Sequence, residues 1–131
     1  MARPKKNQLT DRELAVMQIF WSKEEATAED ARQSLLKLGE NIAYVTVANV
    51  VRGLQEKGFL KQTRRERPYL YKATRTFDEV SGKLMRDFIG RLFRGSREAM
   101  LVQLLKQQKL SNAERQLLTE FLEESGEQDV S

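Results

Sequence analysis

The chain has 131 residues, 40% hydrophobic and 32% charged, with 23 Lys and Arg against 19 Asp and Glu for a net charge of +4. Such a chain makes one domain or two very small ones sharing a core, and no apolar run approaches the roughly 18 residues of a membrane-spanning helix. The complete absence of Cys and His excludes disulfides, thiolate nucleophiles, Cys/His zinc sites and imidazole acid–base catalysis.

No phosphate-binding GxxxxGK[ST], dinucleotide-binding GxGxxG or nucleophile-bearing GxSxG motif is present. The expectation is therefore a binding protein, not an enzyme, with no metal and no cofactor. The opening MARPKKNQLTDRELAV is basic but lacks a following apolar region, so neither signal peptide nor anchor is expected, and the protein is placed in the cytoplasm. Charge is uneven along the chain. Residues 1–75 hold 15 basic and 9 acidic residues, whereas 76–131 hold 8 and 10. Partner expectations follow from the first half, because excess positive charge favours a phosphate backbone.

Helix starts are marked by a hydroxyl residue with an acid three positions on, at Thr10/Glu13, Thr27/Asp30, Thr76/Glu79 and Ser111/Glu114. In that pattern the hydroxyl accepts a free backbone N–H of the first turn while the acid reaches back to the cap. A first helix over 10–22 carries Leu14, Met17, Phe20 and Trp21 on one face. A second, over 27–38, turns Ala31, Leu35 and Leu38 inward and stops at Gly39, a residue free to adopt the left-handed conformation. The third, over 44–57, has no strong cap but has Val47, Val50, Val51 and Leu54 at helical spacing and ends at Gly58. Its other face, Thr46, Asn49, Arg52, Gly53 and Glu56, suits either an ordinary amphipathic surface helix or a reader of base edges.

After Gly58 the periodicity becomes alternating. Residues 59–63 and 69–73 predict two short strands around the tip Arg64-Arg65-Glu66-Arg67-Pro68. The basic tip alone is consistent with a solvated loop. Three helices followed by a basic hairpin is nevertheless the winged variant of the helix-turn-helix, in which the third helix enters the major groove and the hairpin reaches flanking backbone or minor groove. The fold class expected is mainly α with a small β-hairpin wing. The expected domains are a DNA-binding unit over 1–75, a helical dimerisation region over 76–125 and a loose acidic tail over 126–131.

Beyond the wing, residues 77–94 carry a broad apolar stripe interrupted by Gly90 and closed by Gly95, followed by helices over 97–108 and 112–124. Three short helices form a marginal unit alone, and a symmetric dimer resolves the deficit. Candidate dimerisation residues are Val80, Leu84, Phe88, Leu92, Leu104, Leu118 and Phe121.

The segments QLTDRELAVMQIFW (8–21), TVANVVRGLQEKGFL (46–60) and PYLYKA (68–73), in that order and at that separation, resemble the penicillinase repressor (BlaI/MecI/CopY) family of winged-helix regulators. The likeness covers about residues 8–124. It implies a dimeric repressor acting on a dyad-symmetric promoter operator, with DNA contacts from Thr46, Asn49 and Arg52 or Gly53 of the third helix. Val45 stands where relatives often carry a basic residue, and Gly53 where they commonly carry Arg. The wing adds Lys61, Arg64, Arg65, Arg67 and Tyr69 as candidate DNA contacts. With no Cys, the copper-sensing branch does not fit. The antibiotic-resistance branch implies relief by a membrane sensor-protease, and the corresponding stretch is Leu101–Leu105, with Gln103 and Leu104 the candidate cleavage region. Two other readings use the same fold: a small-molecule-responsive regulator with an apolar pocket between wing and helices, and an adaptor that binds protein.

Overall fold

The computed structural model of the protein describes residues 8–129, with side chains as far as Glu124. Its elements in order are α1 (Asp11–Ser22), α2 (Ala28–Lys37), α3 (Tyr44–Glu56), β1 (Leu60–Arg64), β2 (Leu70–Ala73), α4 (Phe77–Leu92), α5 (Arg97–Gln107) and α6 (Asn112–Asp129). Helix starts follow the local chemistry. Thr10 and Thr27 form complete capping boxes with Glu13 and Asp30. Ser111 and Glu114 exchange the same pair of bonds. At Thr76 the Glu79 N–H donates to the threonine hydroxyl at 3.1 Å. A further cap that the acid spacing does not flag is Ser96, whose hydroxyl accepts the Ala99 N–H and begins α5.

Two stops are equally local. Gly39 and Gly58 have φ of 90° and 85°, and each ends its helix with a paired closure. Gly39 and Glu40 N–H donate to the carbonyls of Leu36 and Leu35, and Gly58 and Phe59 N–H to those of Gln55 and Leu54. These bonds satisfy carbonyls that a helix end otherwise leaves open. α4 continues through Gly90, where the sequence pattern suggests a break, because a glycine in right-handed conformation weakens a helix without ending it. α6 likewise runs through Asp129, past the start of the tail expected at 126. Extending an existing helix adds one hydrogen bond per residue fixed, without a new nucleation cost.

The chain divides into two compact units, the first ending at Gly82 and the second starting at Lys83. The first has a continuous core in which Val16, Met17 and Phe20 of α1 meet Leu35 of α2, Val47, Val51 and Leu54 of α3, and Phe59 and Leu60 at the start of the hairpin. Fully burying a side chain of this size contributes roughly 1.5–3 kcal/mol, so this cluster dominates the unit's stability. β1 and β2 pair antiparallel, with an irregularity between Gln62 and Arg64. Ala26, in the turn before α2, bridges to Tyr71 through two backbone hydrogen bonds of 2.9 and 3.1 Å. One edge of the hairpin is thus tied to the helical part.

The expected boundary at 75/76 falls earlier than the division because the first turn of α4 belongs with the first unit. Phe77 packs edge-to-face on Trp21, whose indole N–H donates to the Arg75 carbonyl at 2.9 Å. Val80 is 7% exposed and joins the same core. In the second unit Ile89 is buried and the Phe88 and Phe93 rings meet edge-to-face at 5.8 Å. α5 has no buried residue.

Gly53 sits inside α3, where a Cβ would find only Glu13 Oε2, at an ordinary 3.9 Å. Gly53→Ala is therefore expected to stabilise the first unit by about 1 kcal/mol through helix propensity, read as a higher urea midpoint at unchanged slope.

Candidate nucleic-acid interface

One ion pair sets α3 relative to α1. Glu13, the return acid of the first capping box, is 8% exposed. Its Oε1 accepts from the Thr10 N–H and from Lys57 Nζ, both at 2.8 Å, and Lys57 also donates to the Gln8 carbonyl at 3.0 Å. Burial pushes the Glu13 carboxyl up, but the Lys57 hydrogen bond, the Thr10 N–H and the ammonium charge outweigh it and hold its pKa below the ordinary 4.5. Lys57 follows the last residue of α3, so the pair joins the start of α1 to the end of α3.

With α3 held this way, Val47, Val51 and Leu54 face the core, and the opposite side carries Val45, Asn49, Arg52 and Glu56, all exposed. The four lie at i, i+4, i+7 and i+11, one stripe down the helix. Thr46 is half-buried on the flank of this stripe. Gly53, about 100° around the helix from Arg52, faces Glu13, so Arg52 and not Gly53 stands on the outer face. Ala43 supplies no side-chain cap and the first turn holds no acid, which leaves the positive end of the helix dipole uncompensated.

The wing lies beside this face. Burial first, and then the phenols of Tyr44 and Tyr69, raise the pKa of the Tyr71 hydroxyl, with Arg52 opposing. Tyr71 of β2 is therefore within electrostatic reach of Tyr44 and Arg52 of α3. Lys61, Arg64 and Arg65 are exposed and have no ion-pair partner among the described residues. Arg67 lies over the Tyr69 ring at 5.9 Å from its centroid, next to the cis peptide before Pro68. The basic residues over 57–75 are not all available, however. Lys57 is committed to Glu13 and Gln8, and Arg75 covers the Phe59 ring at 5.0 Å. Neither structural use is visible in the charge pattern, since both partners are far away in sequence.

Three helices in this arrangement with a paired hairpin after them form a winged helix, with an outward polar stripe on α3 and unpaired arginines on the wing. Residues 9–124 match the family model described as penicillinase repressor. This chain belongs to the penicillinase repressor family. It is 32% identical over 103 residues to the transcriptional regulator BlaI of Mycobacterium tuberculosis, spanning 78% of this chain and 75% of that one. To the penicillinase repressor of Staphylococcus aureus it is 24% identical over 107 residues, 82% and 84% of the two chains. The solution structure of the DNA-binding domain of the repressor BlaI matches with a TM-score of 0.50 at 22% identity, over 59% of this chain and 93% of that one. The family resemblance and the winged-helix fold read from the sequence are both borne out.

In this penicillinase repressor family member, the residues expected to dimerise separate into two sets. Val80 is buried in the core of the first unit, because the α4 face on which it lies packs there. Leu84, Phe88, Leu92, Leu104, Leu118 and Phe121 are exposed, from 38% at Leu84 to 63% at Phe121. Gln103 and Leu104 lie on α5, both exposed. Within the first unit, Asp11, Arg12, Ala15, Glu40 and Ile42 line an open cleft of about 430 Å³. Its charged rim, between α1 and the turn before α3, is not the apolar pocket at the wing that a small-molecule-responsive reading expects. No described helix is long and apolar enough to cross a membrane.

Lowered in the folded protein, the Glu13 pKa makes its contribution fully present above the unfolded value near 4.5 and lost as pH falls through the folded value. Glu13→Gln should accordingly flatten the acid side of the stability profile, measured by urea unfolding between about pH 3 and 7. An unchanged acid slope would remove the pair from this role.

Proposed function

We propose that this protein is a homodimeric transcriptional repressor that binds a dyad-symmetric operator. α3 enters the major groove, with Asn49 and Arg52 at base edges and Thr46 on the flank. Lys61, Arg64, Arg65, Arg67 and Tyr69 engage the adjacent backbone or minor groove. The observation that carries this reading is the polar stripe of α3 beside the unpaired arginines of the wing tip. Amide and guanidinium groups at helical spacing match the donor and acceptor edges of the major groove, and free arginines supply sequence-independent attraction to phosphate.

Dimerisation is supported by the second unit. Leu84, Phe88, Leu92, Leu104, Leu118 and Phe121 are all exposed, and covering them with a second copy removes that apolar surface from water. Two linked recognition helices then engage two half-sites, raising affinity through effective concentration. Cleavage near Gln103 and Leu104 by a membrane sensor-protease is the proposed means of relief, because a cut in α5 separates α6 from the rest of the chain. A specific protease site engineered at that position should, once cut, reduce operator affinity toward that of a single half-site.

Selection of binding sequences from a random duplex pool, followed by footprinting on the protein's own promoter, tests the central reading. The expected result is a protected palindrome, and protection of a single half-site counts against the dimer. On the selected duplex, Asn49→Ala should lose about 1–3 kcal/mol with little change on nonspecific DNA. Arg65→Ala should weaken both about equally and lower the salt slope by about one. Equal losses on both DNAs for Asn49→Ala would remove it as a base reader. Leu84→Glu or Phe88→Glu should convert a dimer to a monomer by light scattering, whereas Val80→Glu should unfold the first unit.

A further inference from the structure

We propose that Val45 reads the 5-methyl group of a thymine in the major groove and so sets a sequence preference opposite the start of α3. The inference rests on the DNA-binding reading above and adds a residue that the polar stripe alone does not supply. Val45 is the second residue of α3 and is 66% exposed, more than Tyr44 beside it. Single exposed apolar residues are common on protein surfaces and need no function. Val45 differs in its company. It heads the stripe that continues through Asn49 and Arg52, and it lies in the N-terminal turn, the part of a recognition helix that reaches base edges. The free arginines of the neighbouring wing, Arg64 and Arg65, make this side of the unit attractive to a polyanion.

The chemistry then selects the occupant. Valine has no donor or acceptor, and the thymine methyl is the apolar feature on a major-groove edge. Against any other base, the same side chain covers polar edge atoms without pairing them, which disfavours those bases. A β-branched side chain in a helix is held largely in one rotamer, so its methyls are presented with little freedom left to lose on contact. A basic residue at this place would favour guanine or a phosphate oxygen instead.

Replacing thymine with deoxyuridine deletes that methyl and leaves every hydrogen-bonding group of the base pair in place. The selected duplex is therefore titrated with each thymine of both half-sites replaced in turn, against the wild-type protein and Val45→Ala. At one position per half-site, the replacement is expected to weaken wild-type binding about fourfold, the affinity worth of one buried methyl. At that position Val45→Ala should bind the thymine and uracil duplexes within about twofold of each other. Its affinity for nonspecific duplex, read alongside, should match the wild type and so report an intact fold. If no thymine is sensitive, or if the sensitive one is equally so in Val45→Ala, the inference is overturned while the DNA-binding reading stands. If selection enriches no sequence, the DNA-binding reading falls and takes the Val45 inference with it.

Discussion

A single shared carboxylate joins the start of α1 to the end of α3 in the first unit. Glu13 closes the N-terminal box of α1 and, through the same oxygen, receives the ammonium of Lys57 from the end of α3. A helix cap is usually a local device, worth about 1 kcal/mol to the helix it begins. Here it also fixes a neighbouring helix. A carboxylate this deeply buried is tolerated because a backbone N–H and an ammonium meet it, and removing one partner leaves the other charge insufficiently paired. The absence of a side chain at Gly53 leaves open space next to Glu13 Oε2. Helix propensity given up in the middle of α3 thus coincides with the place where α3 passes the α1 cap.

The outward face of α3 follows from the core. Val47, Val51 and Leu54 point inward against Phe20 and Leu35, so helical geometry turns Val45, Asn49 and Arg52 outward together. The wing is held at its base and along its β2 edge. Thr74 N–H donates to the Phe59 carbonyl at 3.0 Å, and the Ala26 bridge to Tyr71 attaches β2 to the turn before α2. The tip between β1 and β2 is the part left without such ties, and it carries the unpaired arginines. A fixed base with a charged, exposed tip leaves long cationic side chains free to adjust, as the proposed contact with a phosphate backbone requires.

The second unit has a different balance. Val80 and Leu84 are one helical turn apart on α4, yet one is sealed in the core of the first unit and the other is open. From there on Ile89 is buried, while leucines and phenylalanines of α4, α5 and α6 remain exposed. A unit of this size buries too small a fraction of its surface to be robust alone. In the proposed dimer, a second copy covers these apolar faces by symmetry.

Elements and ends were determined by the sequence itself, because their causes act over three or four residues. Thr10, Thr27 and Ser111 with their acids, the glycines at 39 and 58, and the helical spacing of Val47, Val51 and Leu54 all operate inside one element. The run of arginines and the spacing of Asn49 and Arg52 were legible for the same reason. Only the tertiary structure decided which of those residues are available. Lys57 and Arg75 look like part of the wing's charge but serve Glu13 and Phe59. Val80 looks like a dimer contact but completes the first core, Gly53 turns toward Glu13, and Ala26 joins the hairpin by pairing with a residue 45 positions away. Each of these outcomes depends on contacts between segments far apart in the chain, which become definite only when the core brings those segments together.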